Sequence, residues 1–315
     1  MVKMHRREFV GACAGALAAQ SFPPVALSQA NSSERSAPFA VSVMLWTVYR
    51  DLPFEERLEK VADAGYRSVE LVGEFKNWTK NDFAVARRKR SELGIELDAT
   101  AGVWHTLADP SDRDAFLTSV REFIPVLREL ECSRLILQTG NKVPGLSPDQ
   151  MRANCIESLK RGGELAAENK VELLVENIDP EENPNYFLTS AAEGFEIIRS
   201  VGNSSVKFLY DFFHEQIAEG NLIAKLAQNI ALVGLVHIAD VPGRHEPGTG
   251  EINFENIYRK LGELNYRRFV AMEFIPKGDP ATLLRSAREL AQRFGAEGRL
   301  QTLNKSPFWG SLPAV

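Results

Sequence analysis

The 315-residue chain is poor in cysteine, in histidine and in long apolar runs, and each scarcity removes a class of protein. Three cysteines (Cys13, Cys132 and Cys155) make neither a disulfide framework nor a thiolate metal site. Cys132 and Cys155 fall in or beside expected helices and read as two buried thiols. No apolar stretch is long enough to span a bilayer, so no stable membrane anchor is expected. No glycine-rich phosphate loop follows the first expected strand, which argues against an open dinucleotide-binding sheet. No basic patch stands out and the formal net charge is −5, so nucleic acid is not an expected partner. What the chain does have is 44% hydrophobic residues over a length that can bury a large core.

Residues 1–30 differ from the rest. Lys3, Arg6 and Arg7 form a positive start, residues 9–19 a short run of small apolar residues, and Ser28-Gln29-Ala30 a small-residue cleavage site. This pattern predicts a cleavable export signal. Arg6-Arg7 followed by Glu8-Phe9 resembles the twin-arginine type, and export to the periplasm is the expectation. The alternative is an amphipathic N-terminal helix of the fold.

From residue 39 to residue 295, β-rich apolar runs alternate with amphipathic helical stretches. Strands are expected over residues 40–49, 68–72, 97–103, 134–139, 171–178, 206–213, 231–239 and 268–275. Helices are expected over 53–64, 82–93, 111–130, 147–169, 190–201, 222–229, 254–264 and 280–294, with Gly65 and Gly94 as stops. Eight β/α units in roughly 250 residues have the size of a single (β/α)8 TIM barrel. Residues 296–315 read as a C-terminal tail.

Barrels of this kind carry their sites at the C-terminal ends of the strands. The fifth expected strand ends in Glu176, the sixth in Asp211 with His214 three residues on, the seventh in His237 and the eighth in Glu273. All four histidines beyond the signal (His105, His214, His237 and His245) fall at or just past a strand end. Glu176 and Glu273 sit inside apolar runs, where a carboxylate needs a partner, either a salt bridge or a metal. Asp211 could instead cap a loop, and His237 could be a core histidine. Together, three carboxylates and one imidazole suit a hard or borderline divalent cation, Mn²⁺, Mg²⁺ or Co²⁺. Four protein ligands would leave room for the adjacent oxygens of an α-hydroxy carbonyl. The metal would polarise that carbonyl, while Glu176 and Glu273 moved a proton between neighbouring carbons.

The segment over residues 236–254, VHIADVPGRHEPGTGEINF, resembles the loop after the seventh strand of hydroxypyruvate isomerases, within the xylose isomerase-like TIM barrels. LVENI (174–178), YDFFH (210–214) and MEF (272–274) match in order and spacing, and the likeness covers about residues 40–290. The resemblance implies an aldose–ketose isomerase acting on a small sugar or hydroxy-keto acid. It implies Glu176 and Glu273 as an acid/base pair that also ligates metal, with Asp211 and His237 completing the site and His214 and Arg244 holding substrate oxygens. Trp46, Trp104 and His105 would wall the pocket, with Trp104 and His105 as substrate contacts; packing in the core is the alternative for each. His245 and Glu246 read as pins for their own loop. Hydroxypyruvate isomerases typically carry glutamine where this chain has His237, whereas related ketose 3-epimerases carry histidine. A ketose 3-epimerase, a non-catalytic exported sugar-binding barrel and a metal-dependent phosphodiester hydrolase are therefore the alternatives. Such barrels often pair, so a homo-oligomer is an expectation that no residue here carries.

Overall fold

A computed structural model describes residues 36–305; the expected signal over residues 1–30 and the last ten residues lie outside the described part. Eight parallel strands close into a barrel in sequence order: β1 (Ala40–Met44), β2 (Ser68–Val72), β3 (Glu96–Trp104), β4 (Arg134–Gln138), β5 (Glu172–Glu176), β6 (Val206–Asp211), β7 (Val233–Ile238) and β8 (Phe269–Met272). Around them lie α1 (Phe54–Asp63), α2 (Lys80–Leu93), α3 (Arg113–Leu130), α4 (Pro148–Glu168), α5 (Ala191–Val201), α6 (Phe212–Ala218), α7 (Leu222–Asn229), α8 (Phe254–Glu263) and α9 (Pro280–Lys305). This is the (β/α)8 barrel expected. Local rules set the helix starts: Thr79 and Ser147 each form a reciprocal capping box, with Asp82 and Gln150. Cys132 and Cys155 are buried and free, and burial pushes both thiols up to about 12. Among the described residues no helix is long and apolar enough to cross a membrane.

Strand periodicity builds the interior in layers. Side chains two apart on a strand share a face. Leu174, Leu209, Leu235 and Ala271 belong to one apolar cluster with Ala99, Ala101, Ile136 and Phe269. Two residues further along each of the same four chain segments come Glu176, Asp211, His237 and Glu273. The polar layer thus stands directly on the apolar plug, at the C-terminal mouth. Register carries it around the barrel, Asp211 pairing with His237, and the Glu273 N–H reaching Ile238 O at 3.0 Å.

Three of the differences from the expected boundaries have a plain physical cause. β1 stops at Met44 and gives way to a 3₁₀ turn over Leu45–Thr47, which Thr47 closes by donating Oγ1–H to Met44 O. β6 stops at Asp211, because its carboxylate accepts the Phe213 N–H at 2.7 Å and starts α6 there. α9 runs through Gly295 to Lys305, into residues read as tail. There glycine serves close packing. A Cβ on Gly262 would lie 2.1 Å from Gly295 O, and one on Gly298 would lie 1.9 Å from Arg259 O. Gly298→Ala is therefore expected to lower stability. Forcing two helix backbones apart costs about 1–3 kcal/mol, against a gain in helix propensity of about 1 kcal/mol. A thermal midpoint unchanged or raised would show that α8 and α9 part freely.

Candidate metal centre and active site

Glu176, Asp211, His237 and Glu273 converge at the barrel mouth. Each offers a ligand atom, these atoms all lie within 4.8 Å of one another, and all four residues are buried. His237 Nδ1 lies 2.7 Å from Glu273 Oε2 and 3.6 Å from Glu176 Oε1. Yet neither His237 Nδ1 nor Glu273 Oε2 makes a hydrogen bond. Buried polar atoms this close without a hydrogen bond to satisfy them need another partner, and an ion is one. The donor set, three carboxylates and an imidazole without sulfur, fits a divalent cation, and the cluster can hold one.

The other ring nitrogen of His237 is occupied. Nε2 lies 3.0 Å from Oε2 of Glu70, on β2 across the barrel, and Glu70 is fully buried. Burial alone would lower the His237 pKa, but the charges of Glu70 and Glu273 raise it well above the usual histidine range. Burial lifts Glu70 to about 8, with His237 opposing. The two candidate acid/base carboxylates are driven apart. Burial raises Glu176, with His237 opposing. Glu273 falls to about 2 despite burial, because the Arg244 guanidinium 2.6 Å away, and then His237, favour its charged form.

Arg244 is the cation over the site. It lies 3.2 Å from Asp211 and 3.2 Å from Glu182, and stacks over the Phe213 ring. His214 is buried, its Nδ1 2.7 Å from Asp179 Oδ2. Burial would lower its pKa, but the Asp211 charge and the Asp179 hydrogen bond raise it to about 9. Both residues line a cavity of about 290 Å³ together with Glu176, Glu273, Trp46 and Trp104. The structure thus brings Trp104 and Trp46 to the cavity wall. His105 it turns elsewhere: its Nδ1 meets Asp112 and its Nε2 meets Ser119, both at 2.8 Å, and it is absent from the cavity lining. His245 and Glu246 pin their loop to the segment after β8, through Ile275 O at 2.8 Å and the Lys277 N–H at 3.0 Å.

Sequence reasoning passed over Glu70, Asp179, Glu182 and Asp240. Asp240 is fully buried, and its carboxylate accepts the backbone N–H groups of Val241, Gly248, Gly250 and Ile252 at 2.9–3.1 Å. It is the hub of the loop that presents Arg244, and a Cβ on Gly250 would lie 1.9 Å from Val241 O. The run of glycines after an aspartate at a strand end was the available clue. Asp240→Asn puts an amide N–H₂ where only acceptors fit. It is expected to loosen the loop and lower kcat/KM by about 10²-fold, the scale of a small misplacement beside a reacting centre. Unchanged steady-state kinetics would show that Arg244 needs no such hub.

Comparison with known proteins places this geometry. The xylose isomerase-like TIM barrel model matches residues 58–294. The hydroxypyruvate isomerase of Escherichia coli is 28% identical over 246 residues, covering 75% of this chain and 93% of that protein. The 2-oxo-tetronate isomerase of Pectobacterium atrosepticum is 26% identical over 239 residues, covering 73% and 90%. A solved Brucella melitensis structure described as a family 2 AP endonuclease superposes with a TM-score of 0.70 at 25% identity, covering 79% of this chain and 96% of that one.

Proposed function

We propose, from the premise that this chain belongs to the xylose isomerase-like TIM barrel family, that it is a metal-dependent isomerase of small hydroxy-keto compounds. The observation that carries this reading is the buried layer of Glu176, Asp211, His237 and Glu273, with both glutamates facing the same cavity. The isomerases among its relatives support it. These four residues would hold the cation, for which Mn²⁺, Mg²⁺ and Co²⁺ are suited. When bound, the cation would supply Lewis acidity at the substrate carbonyl, making the proton on the neighbouring carbon easier to remove. Glu176 and Glu273 come from different sides of the mouth, so one removes a proton from the carbon beside the carbonyl and the other serves the neighbouring position. Arg244 and His214 bind substrate oxygens, and Trp46 walls the cavity beside them. The ketose 3-epimerase reading is favoured by one feature, histidine rather than glutamine at position 237. Export to the periplasm through residues 1–30 belongs to the same proposal, and cell fractionation tests it.

The test is deuterium uptake in D₂O by the purified protein with Mn²⁺, followed by NMR on hydroxypyruvate and a panel of ketoses. Exchange beside a carbonyl with an aldose–ketose shift supports the isomerase, and inversion at carbon 3 supports the epimerase. Tight metal binding without exchange on any substrate would overturn both.

A further inference from the structure

The catalytic cavity is larger than a three-carbon substrate needs. Such a keto acid has the bulk of roughly three or four waters, about 100 Å³ at about 30 Å³ each. The cavity holds about 290 Å³. Beside it opens a second cavity of about 380 Å³, walled by Phe75, Trp78, Phe83, Trp104 and Phe123, with Lys76 as its charged side chain. The two adjoin. Ala101 and Trp104 line both, and Val72 of the first is followed in sequence by Gly73 of the second. The first stands over the metal layer, and the second is bounded by Ala101, Gly102 and Trp104 of β3 and by Phe123 and Val126 of α3. Gly73, on the wall of the second cavity, adopts φ +91°, and a Cβ there would meet nothing within 4 Å.

Trp104 stands at the boundary. It is 56% exposed, the most exposed large hydrophobic side chain among the described residues. Because Trp104 lines both cavities, its exposed ring offers a stacking face to a group that reaches from one into the other. The chemistry of the two rooms also differs. The first carries Glu182, His214, Arg244 and Gln138, which suit hydroxyl and carbonyl oxygens. The second offers aromatic faces and one lysine.

We infer that the substrate is a hydroxy-keto compound bearing an apolar, ring-sized group on the end remote from the metal, and that this ring crosses Trp104 into the aromatic cavity. This rests on the metal-dependent isomerase reading and names its substrate class. An α-hydroxy acid presents two adjacent oxygens to the metal site, so three serve as probes: lactate, 3-phenyllactate and 2-hydroxy-4-phenylbutanoate. Their binding to the Mn²⁺-loaded protein is measured by calorimetry. At least one phenyl acid is expected to bind about tenfold to a hundredfold tighter than lactate, the scale for burying one ring. Val126→Trp, which fills the second cavity, is expected to erase that gain. Trp104→Ala removes a mostly exposed side chain without opening the core, so it reports if Val126→Trp does not fold; it too is expected to lose the gain. Phenyl acids that bind no tighter than lactate, or a gain that survives both variants, would overturn the inference while leaving the isomerase reading intact. Failure of lactate itself to bind the Mn²⁺-loaded protein would overturn both.

Discussion

Glu176→Gln and Glu273→Gln are each expected to lower the rate of proton exchange by about 10²–10⁴-fold at saturating Mn²⁺, the usual contribution of a positioned acid or base. Glutamine keeps an oxygen for the metal and the shape of the side chain, but it cannot accept or return the proton. The two variants should not be equivalent. Glu273 is held charged by Arg244 at 2.6 Å and makes no other strong bond through Oε2, so its replacement also leaves the guanidinium over a neutral neighbour. Glu176 feels Arg244 only at longer range, with no ion pair between them, and burial raises its pKa. Glu273→Gln is therefore expected to weaken metal binding as well as rate, and Glu176→Gln to act mainly on rate. Metal affinity by calorimetry, measured beside exchange by NMR, separates the two effects. Full recovery of exchange by excess Mn²⁺ in either variant would show that its glutamate is a ligand and no more.

The sequence carried the barrel because its strongest regularities are short-ranged. Apolar runs ended by a polar residue recur in each of the last four units, and in a closed parallel barrel the same relative position means the same height. LLVE, FLYD, GLVH and VAME therefore announce one layer without any alignment. Direction is harder. His105 follows a strand as His214 and His237 do, yet the turn after Trp104 carries it to Asp112 and Ser119 on its own α3 side. Nothing local distinguishes it. Glu70 illustrates the opposite loss. SVELV resembles LLVEN as a carboxylate within an apolar run, but its partner His237 lies 167 residues away and across the barrel. Only closure brings them together. Asp240 was obscured for a different reason: its partners are backbone N–H groups of its own loop, which leave only the glycines as a trace in the sequence. The continuation of α9 past Gly295 depended on a neighbouring helix close enough to require glycine.

Glu70 yields the second large effect. A carboxylate on Nε2 of a ligating histidine fixes the tautomer, turns Nδ1 toward the metal and raises its basicity. Here Glu70 Oε2 at 3.0 Å from His237 Nε2 leaves Nδ1 facing Glu273 and Glu176, so the ring's orientation is set from across the barrel. Glu70→Leu is expected to weaken Mn²⁺ binding by about 10–100-fold, the range for losing such a partner. Glu70→Gln, whose amide oxygen can still accept the Nε2–H, is expected to fall between the wild type and Glu70→Leu. The metal-free fold gives a second readout. Glu70 is a wholly buried carboxylate with Oε1 unpartnered, so leucine removes a costly group, but it also leaves the buried His237 Nε2–H without its acceptor. Thermal stability without metal should thus fall, and the stabilisation gained on adding Mn²⁺ should shrink as well, since ligand stabilisation follows the logarithm of ligand concentration over Kd. A Glu70→Leu protein that keeps the wild-type Mn²⁺ affinity would show that His237 is oriented by its strand alone. One that loses stability equally with and without metal would assign Glu70 to the core rather than to the site.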